Sequence, residues 1–180
     1  PYSSAASDVY KRQSLDSVSA LCMLKDNSLF FNQDISFGVA FNPYLPPYLF
    51  DEEILRLEKK LQSGLVSSIW IQFGTDYKLL KSRIEILSRM ISATINKNPK
   101  ISKISLFGSI LIPSKQFLAR FKYRPWKGVY CSNEFLESEE MAHKIITNLL
   151  KTYKQNEIFP LIETCITTDE HLKKLSNIFN

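Results

Sequence analysis

Residues 37–76 read FGVAFNPYLPPYLFDEEILRLEKKLQSGLVSSIWIQFGTD and contain the parts of one βαβ unit. An apolar strand, predicted over Ile35–Phe41, leads into a proline-rich loop over Asn42–Phe50. A charged amphipathic helix follows, with Asp51 as its predicted N-cap and a glycine at its end. A second apolar strand is predicted over Ser67–Phe73. This succession indicates two parallel strands joined by a crossover helix.

The rest of the chain continues the alternation of apolar strands and amphipathic helices. Further helices are predicted over Ser14–Lys25, Asp76–Asn96 and Ser114–Phe121, from Ser138 onward and from Thr168 onward, and further strands within Ile101–Ile112 and over Ile158–Thr164. This alternation favours a parallel sheet with helices outside it. The predicted fold is therefore α/β, a partial (β/α)8 TIM barrel of about four parallel strands with flanking helices. A small open α/β sheet is the alternative.

Composition excludes several classes of protein. The chain has 180 residues and a net charge of +5, which is typical of one mildly basic globular domain. No apolar run approaches the roughly 20 residues of a transmembrane helix, and no secretion signal is evident, so we expect a cytoplasmic protein without a membrane partner. Cys22, Cys131 and Cys165 are widely separated, and no histidine stands at ligand spacing. Neither a disulfide framework nor a metal site is expected.

The first residues differ from the rest of the chain. PYSSAASDVYKRQ has no hydrophobic periodicity, and its last six residues resemble the in-frame translation of a transposon adapter used in sequencing libraries. We therefore expect residues 1–13 to be a non-native or disordered stub on a fragment obtained by environmental sequencing. Residues 14–180 are expected to form the structural unit.

Three segments together resemble the methylenetetrahydrofolate reductase family. They are FGVAFNP, the helix pattern E-x-x-R-x-x-x-K with the strand ending Ile71-Gln72-Phe73, and the glycine-to-proline segment 108–113. The resemblance covers Ser14–Asn180 and implies the C-terminal half of a (β/α)8 barrel that binds FAD at the C-terminal ends of its strands. It also implies hydride transfer from NAD(P)H, through the flavin, to 5,10-methylenetetrahydrofolate.

The resemblance also implies which residues form the site. Two residues would lie beside the flavin, and three on the following helix match family positions that contact FAD. A glutamine would bind the folate ring, and the phenylalanine after it would lie in the ligand-facing turn. The implied cofactor-binding residues are Ala40, Asn42, Glu53, Arg56 and Lys60, and the implied substrate-binding residues are Gln72 and Phe73.

Physical chemistry supports the glutamine most directly. The amide of Gln72 offers one acceptor and two donors, which suits a pterin edge, and it stands where barrel enzymes place their chemistry. The alternative is that Gln72 is simply a polar strand end. For the helix residues, the alternative is an ordinary solvated face with an i, i+3 ion pair between Glu53 and Arg56.

The chain departs from the family pattern in two places. The loop after the first strand reads Tyr44-Leu45-Pro46-Pro47, without the family's acidic residue and histidine. After the last strand, threonines stand in place of the family's arginine, with Glu163 at the strand's end. The family's catalytic glutamate and flavin-tuning aspartate belong to earlier strands, so no catalytic residue is assigned in this fragment. A barrel homologue without folate chemistry, acting as a ligand-binding or assembly protein, is the alternative function.

A second candidate surface lies between Ser114 and Lys127, where basic and aromatic residues alternate and no acidic residue occurs. They are Lys115, Arg120, Lys122, Arg124 and Lys127 with Phe117, Phe121, Tyr123 and Trp126. Nucleic-acid grooves combine such residues, and the surface would equally suit an anionic cofactor or a polyglutamate tail. The alternative is a solvated helix and loop whose aromatic rings pack inward. No RNA-binding motif accompanies the segment, so no nucleic-acid partner is expected.

Two further expectations concern chemistry and assembly. A thiol nucleophile is only a minor candidate, because Cys131 and Cys165 have no evident histidine partner in the sequence. Half a barrel leaves its first and last strands with unpaired edges, so we expect a homo-oligomer or a marginally stable chain. The small-molecule partners implied by the resemblance are NAD(P)H and a folate.

Overall fold

A computed structural model describes residues 15–25, 35–164, 168–169, 172–173 and 175–176 of the chain. The helices are α1 Ser17–Lys25, α2 Pro47–Gln62, α3 Tyr77–Lys97, α4 Lys115–Tyr123, α5 Asn133–Glu137 and α6 Glu139–Gln155, and the strands are β1 Phe37–Phe41, β2 Val66–Ile71, β3 Ser105–Leu111 and β4 Ile158–Glu163. The predicted stub at residues 1–13, Cys165 and most of the predicted last helix lie outside the described residues.

The four strands form a single sheet in the order β1-β2-β3-β4, and every neighbouring pair is parallel. Each crossover therefore joins adjacent strands, and the strand order does not reverse. Right-handed crossovers in such an order place their helices on the same side of the sheet. The predicted α/β class, with a four-stranded parallel sheet flanked by helices, is confirmed.

The two faces of the sheet differ in burial. On the helix-covered face, side chains such as Phe41, Ile69 and Ile110 are fully buried. On the opposite face, which we call the open face, the exposed Trp70 and Phe159 flank Phe107 in adjacent strands. The centroid of the Phe107 ring lies 5.3 Å from that of Trp70 and 5.7 Å from that of Phe159. A row of aromatic rings therefore crosses the open face.

Polar caps begin several helices where the sequence predicts them. The Asp76 carboxylate accepts hydrogen bonds from the N–H groups of Lys78 and Leu79 at the start of α3. Ser114 and Ser138 cap α4 and α6 in the same way. These side chains satisfy N–H groups that have no partner within the helix, which fixes where each helix begins.

One local prediction is wrong, and one short helix is not predicted. The sequence predicts Asp51 as the N-cap of the second helix, but α2 begins at Pro47, with Pro46 in the cap position. Proline is favoured in the first turn because its missing N–H would have no partner there. The short helix α5 has no counterpart among the predicted elements, and the Ser132 side chain caps it by accepting from the N–H of Phe135. The buried Phe135 ring anchors this short helix in the core.

One close approach joins α6 to the sheet. A Cβ at Gly108 in β3 would overlap the ring of Tyr153, so glycine is required for α6 to lie at this distance. The Tyr153 hydroxyl donates a hydrogen bond to the carbonyl of Ser109 over 3.1 Å. Among the described residues, no helix is both long and apolar enough to cross a membrane.

Candidate functional site

Three chain segments meet at the C-terminal edge of the sheet, where the site is predicted. The Asn42 side chain, after β1, donates to the carbonyl of Gly128 over 2.8 Å. After β2, the N–H of Thr75 donates to the carbonyl of Tyr130 over 3.0 Å, and the Thr75 hydroxyl accepts from the N–H of Ser132 over 2.7 Å. These bonds link the loops after β1 and β2 to the segment that precedes α5, so the edge is organised by the protein itself.

Two of the predicted flavin neighbours lie close together but differ in availability. Ala40 is exposed on the open face, beside Trp70 in the next strand. Asn42 is half-buried, and its side-chain oxygen accepts from the N–H of Tyr44 over 3.0 Å while its nitrogen bonds Gly128. Ala40 therefore offers surface to a ligand, whereas both ends of the Asn42 amide bond the protein.

Gln72 is the polar residue that the open face presents at the end of β2. Its side chain is exposed, and its oxygen accepts from the N–H of Phe73 over 3.0 Å. Its two N–H donors have no partner within the part of the chain that the structure describes. This contact fixes the oxygen and leaves the donors facing solvent, where a ligand could accept from them.

Phe73 follows Gln72 but faces the core. Its ring is buried and lies 5.7 Å, between centroids, from the ring of Phe135 in α5. The aromatic contact joins the turn after β2 to the segment that closes the edge of the sheet. The substrate contact implied for Phe73 stays a prediction, and in this arrangement its ring has a packing role.

Glu53 and Lys60 face β1 from α2 instead of facing solvent. Their side chains are buried, with 7% and 6% of the residue surface exposed. A Glu53 oxygen accepts from the N–H of Asn42 over 3.0 Å, and the Lys60 ammonium donates to the carbonyl of Ala40 over 3.4 Å. The alternative interpretation, that these residues form an ordinary solvated helix face, is therefore wrong for Glu53 and Lys60. It holds for Arg56, which is exposed and lies 3.6 Å from Glu53.

These two contacts cover a sheet edge. The carbonyl of Phe41 accepts from the N–H of Gln72 in β2. Backbone groups alternate in direction along a strand, so the carbonyl of Ala40 and the N–H of Asn42 point away from β2. Glu53 and Lys60 satisfy these two edge groups, which would otherwise be free to pair with another chain. The unpaired edge predicted for the first strand is thus closed at its C-terminal end.

Burial changes the acid–base properties of the lysine. Removal of its ammonium group from water lowers the pKa of Lys60, and the nearby Glu53 carboxylate acts in the opposite direction. The carboxylate thus offsets part of the cost of burying the cation. Glu53 and Lys60 are thus two buried, oppositely charged residues: each bonds a backbone atom at the end of β1, and their charges attract one another.

Arg83 is a residue of this region that the sequence reading did not identify. It is buried on α3, and one guanidinium nitrogen donates to the carbonyls of Pro43 and Leu45, the latter over 2.6 Å. The guanidinium also lies 3.8 Å from the centroid of the Phe50 ring. These contacts fix the loop after β1. The sequence signal for its burial is its place next to Ile84, in the apolar stripe of α3.

The loop fixed by Arg83 also buries a tyrosine. The Tyr44 ring packs against Gly74, where a Cβ would overlap it. The Tyr44 hydroxyl has no hydrogen-bond partner among the described residues, and burial raises its pKa well above the usual value. In the loop where the family pattern has an acidic residue and a histidine, this chain therefore has an internal, uncharged phenol.

Cys131 lies in the segment before α5, between the two residues that bond Thr75, and Cys165 lies outside the described residues. Burial raises the pKa of the Cys131 thiol to about 12, so the thiol is protonated at neutral pH and is a weak nucleophile. Within residues 15–25, 35–164 and the later described positions, no group of three or more His, Cys, Asp and Glu side chains could hold a metal ion.

Two comparisons, with protein-family models and with curated proteins, give no assignment for the chain. No protein-family model matches it, and no curated protein matches it. The geometry at the edge of the sheet and the sequence resemblance are therefore the grounds on which a function can be proposed.

Proposed function

We propose that the four strands are half of a (β/α)8 barrel, and that the complete barrel is a FAD-dependent oxidoreductase of the methylenetetrahydrofolate reductase type. The proposal rests mainly on the position and exposure of Gln72. Its amide donors lie at the C-terminal end of β2, on the same open face as the exposed Ala40, and have no partner in the part of the chain that the structure describes. This is where barrel enzymes bind their substrates.

The shape of the sheet supports a barrel. Its strands follow one another without reversal, as in a (β/α)8 barrel, whereas a doubly wound sheet reverses its strand order. The open face carries Trp70, Phe107 and Phe159 in one row. Large side chains in layers are what fills a barrel interior, and an aromatic row facing water needs cover. Strands that continue the sheet beyond β4 and along the part of β1 before Ala40 would supply it, because Glu53 and Lys60 already bond the C-terminal end of the β1 edge.

The residues of this chain fit a flavin site in part. Ala40 is small and exposed, so a flat ring system could approach β1 beside it. Gln72 would orient a bound folate through its free amide donors, while its oxygen stays bonded to the N–H of Phe73. FAD, when bound, would carry hydride from NAD(P)H to 5,10-methylenetetrahydrofolate. Arg56 is exposed and is the implied FAD contact on α2 that remains available to an anionic group.

A specific observation favours the second candidate, a barrel homologue that binds a ligand or a partner without folate chemistry. Glu53 and Lys60 bond the edge of β1, and Tyr44 fills the loop where the family pattern is polar. These three residues therefore serve the fold in this chain. If the rest of the site has diverged to the same extent, a ligand could bind without turnover.

Purification of the protein encoded by the complete reading frame tests both candidates. We expect bound flavin in the visible spectrum and oxidation of NADH or NADPH coupled to reduction of methylenetetrahydrofolate. Replacement of Gln72 by Leu should retain the flavin and lower kcat/KM for the folate about five- to thirtyfold, because a lost hydrogen bond to a bound ligand costs about 1–2 kcal/mol.

A matched variant controls for general damage. Gln155→Leu changes an exposed glutamine at the end of α6, which leads into the N-terminal end of β4 and so lies at the edge of the sheet opposite Gln72, and it should leave kcat/KM within about twofold. A protein that binds FAD but does not turn over folate would support the second candidate. A protein that takes up no FAD, even on reconstitution, would exclude the flavoenzyme.

A further inference from the structure

The basic and aromatic segment after β3 encloses a cleft. The cleft has a volume of about 970 Å³, which lies within the range of ligand pockets. Its lining includes Phe117, Arg120, Tyr123, Arg124, Trp126 and Lys127. None of these residues takes part in the site at the C-terminal edge of the sheet, so the cleft requires its own explanation.

The aromatic rings of the cleft form an anchored cluster with an exposed top. The ring centroid of Phe117 lies 5.5 Å from that of Phe121 and 5.3 Å from that of Trp126. Phe121 is buried in the core, but Trp126 is 53% exposed and Tyr123 is 90% exposed. Inward packing therefore holds for Phe121 and is wrong for Trp126 and Tyr123. A ring held from below and open above is a surface on which another flat ring can stack.

The positive charges of the segment are not neutralised by the protein. Lys115, Arg120, Lys122, Arg124 and Lys127 are all exposed. Among the described residues, the ion pairs within 4.0 Å are Arg56–Glu53 and Lys144–Glu140, so none involves these five side chains. Glu139 accepts from the backbone N–H of Lys115, and Glu137 lines a neighbouring pocket with Lys122. The cations that line the cleft itself are Arg120, Arg124 and Lys127, and three exposed cations at one cleft make it attractive to an anion.

We propose that this cleft binds a nucleotide, with its base stacked on Trp126 and its phosphates paired with Arg120 and Arg124. Arginine presents parallel N–H donors that match phosphate oxygens, and exposed aromatic rings accept any base. An acidic peptide would use the charges but leave the exposed rings without a function. The nucleotide could be free or part of a single strand. The proposal does not depend on the flavin site, because the two share no residue.

Tryptophan fluorescence of the full 180-residue chain can detect this binding. The chain has two tryptophans, so Trp70→Phe leaves Trp126 as the single reporter. We expect ADP to quench it saturably, and adenosine, pyrophosphate and hexaglutamate to bind at least about tenfold more weakly, because each lacks the base or the phosphates. A short oligodeoxyadenylate that binds more tightly than ADP would identify a strand as the source; weaker binding would identify the free nucleotide.

Two charge variants separate a built site from general attraction. Arg120→Gln with Arg124→Gln should weaken ADP binding at least about tenfold and leave the melting temperature unchanged, since both side chains are exposed. Lys151→Gln with Lys154→Gln removes the same charge from exposed positions on α6 and should change the affinity less than about twofold. Any of three results would overturn the proposal. They are equal losses of ADP affinity in the two double variants, no saturable quenching by ADP, and binding of hexaglutamate as tight as that of ADP.

Discussion

The two sides of the sheet near the end of β1 use polar residues in opposite ways. On the helix-covered side, Glu53, Lys60 and Arg83 are buried and bond backbone atoms of β1 and its loop. On the open face, Gln72 is exposed, and its two amide N–H donors have no partner among the described residues. The residues that the resemblance assigns to cofactor and substrate binding are thus divided between a structural junction, which Arg83 joins, and a surface that a ligand can reach.

This division separates two kinds of experiment. Substitutions in the junction should change the free energy of unfolding, because they leave buried polar groups without partners. Substitutions on the open face should change ligand binding and have little effect on stability, since solvent already satisfies those groups. The four predictions below run from the largest expected change in stability to the smallest.

Arg83→Met should lower the free energy of unfolding by about 3 kcal/mol, because it removes two charge-assisted hydrogen bonds and a cation–π contact from a buried site. Urea unfolding followed by circular dichroism measures the change. Arg89→Met, at an exposed position of the same helix, should cost less than about 0.5 kcal/mol. Equal costs for the two variants would show that Arg83 does not hold the loop after β1.

Gly74→Ala should cost about 2 kcal/mol, since the new methyl group overlaps the Tyr44 ring and the packed loop must move. The same urea titration measures this cost. In a Tyr44→Leu background, where the ring is gone, the glycine substitution should cost less than half as much. A cost that is unchanged by Tyr44→Leu would place the strain somewhere other than in this contact.

Alkaline pH should destabilise the protein through its buried tyrosines. Burial raises the pKa of Tyr44 and of Tyr153 above the ordinary value of 10.0, so the folded chain keeps two protons that the unfolded chain releases. Stability that is fully present below pH 10 should therefore fall as pH rises, at up to about 1.4 kcal/mol per pH unit for each tyrosine.

Phenylalanine substitution isolates each contribution to this pH dependence. Tyr44→Phe should flatten the slope above pH 10 and, because it removes a buried hydroxyl without a described partner, should not lower stability at pH 7. Chemical unfolding at several pH values gives both quantities. An identical slope in wild type and variant would mean that the Tyr44 hydroxyl ionises as easily in the folded chain as in water.

Gln72→Leu should change the free energy of unfolding by less than about 0.5 kcal/mol, the smallest effect of the series, because the side chain is exposed. Its one contact, from the N–H of Phe73, can pass to water. A thermal melt beside the Arg83→Met variant gives the comparison. A large loss of stability would show that Gln72 stabilises the fold, as Arg83 does, instead of serving as a ligand-binding surface residue.

Local signals in the sequence located most of the fold. Asp76, Ser114 and Ser138 begin helices because each offers an oxygen to N–H groups of the next turn, which depends only on neighbouring residues. The start of α2 was misplaced because two adjacent prolines can begin a helix as well as break a strand. The five-residue α5 is too short to show a hydrophobic period.

The candidate site was less accessible to sequence reasoning. Exposure of Gln72 follows from a polar residue that ends an apolar strand, so it could be predicted. Burial of Glu53 and Lys60 depends on the position of β1 at the edge of the sheet, where backbone groups need partners from α2. Their spacing of four and three residues from Leu57 places them on the apolar stripe of α2, but their β1 partners are a property of the whole topology.

The visible absorption spectrum of the full-length protein tests most directly whether the open face belongs to a flavin site. The protein should be purified, incubated with FAD and freed of unbound cofactor before the spectrum is recorded. We predict a flavin spectrum that corresponds to about one FAD per chain in both the wild type and Gln72→Leu. Folate reduction should be strongly lowered in the variant and not in the wild type. A colourless protein that retains no FAD would contradict the assignment.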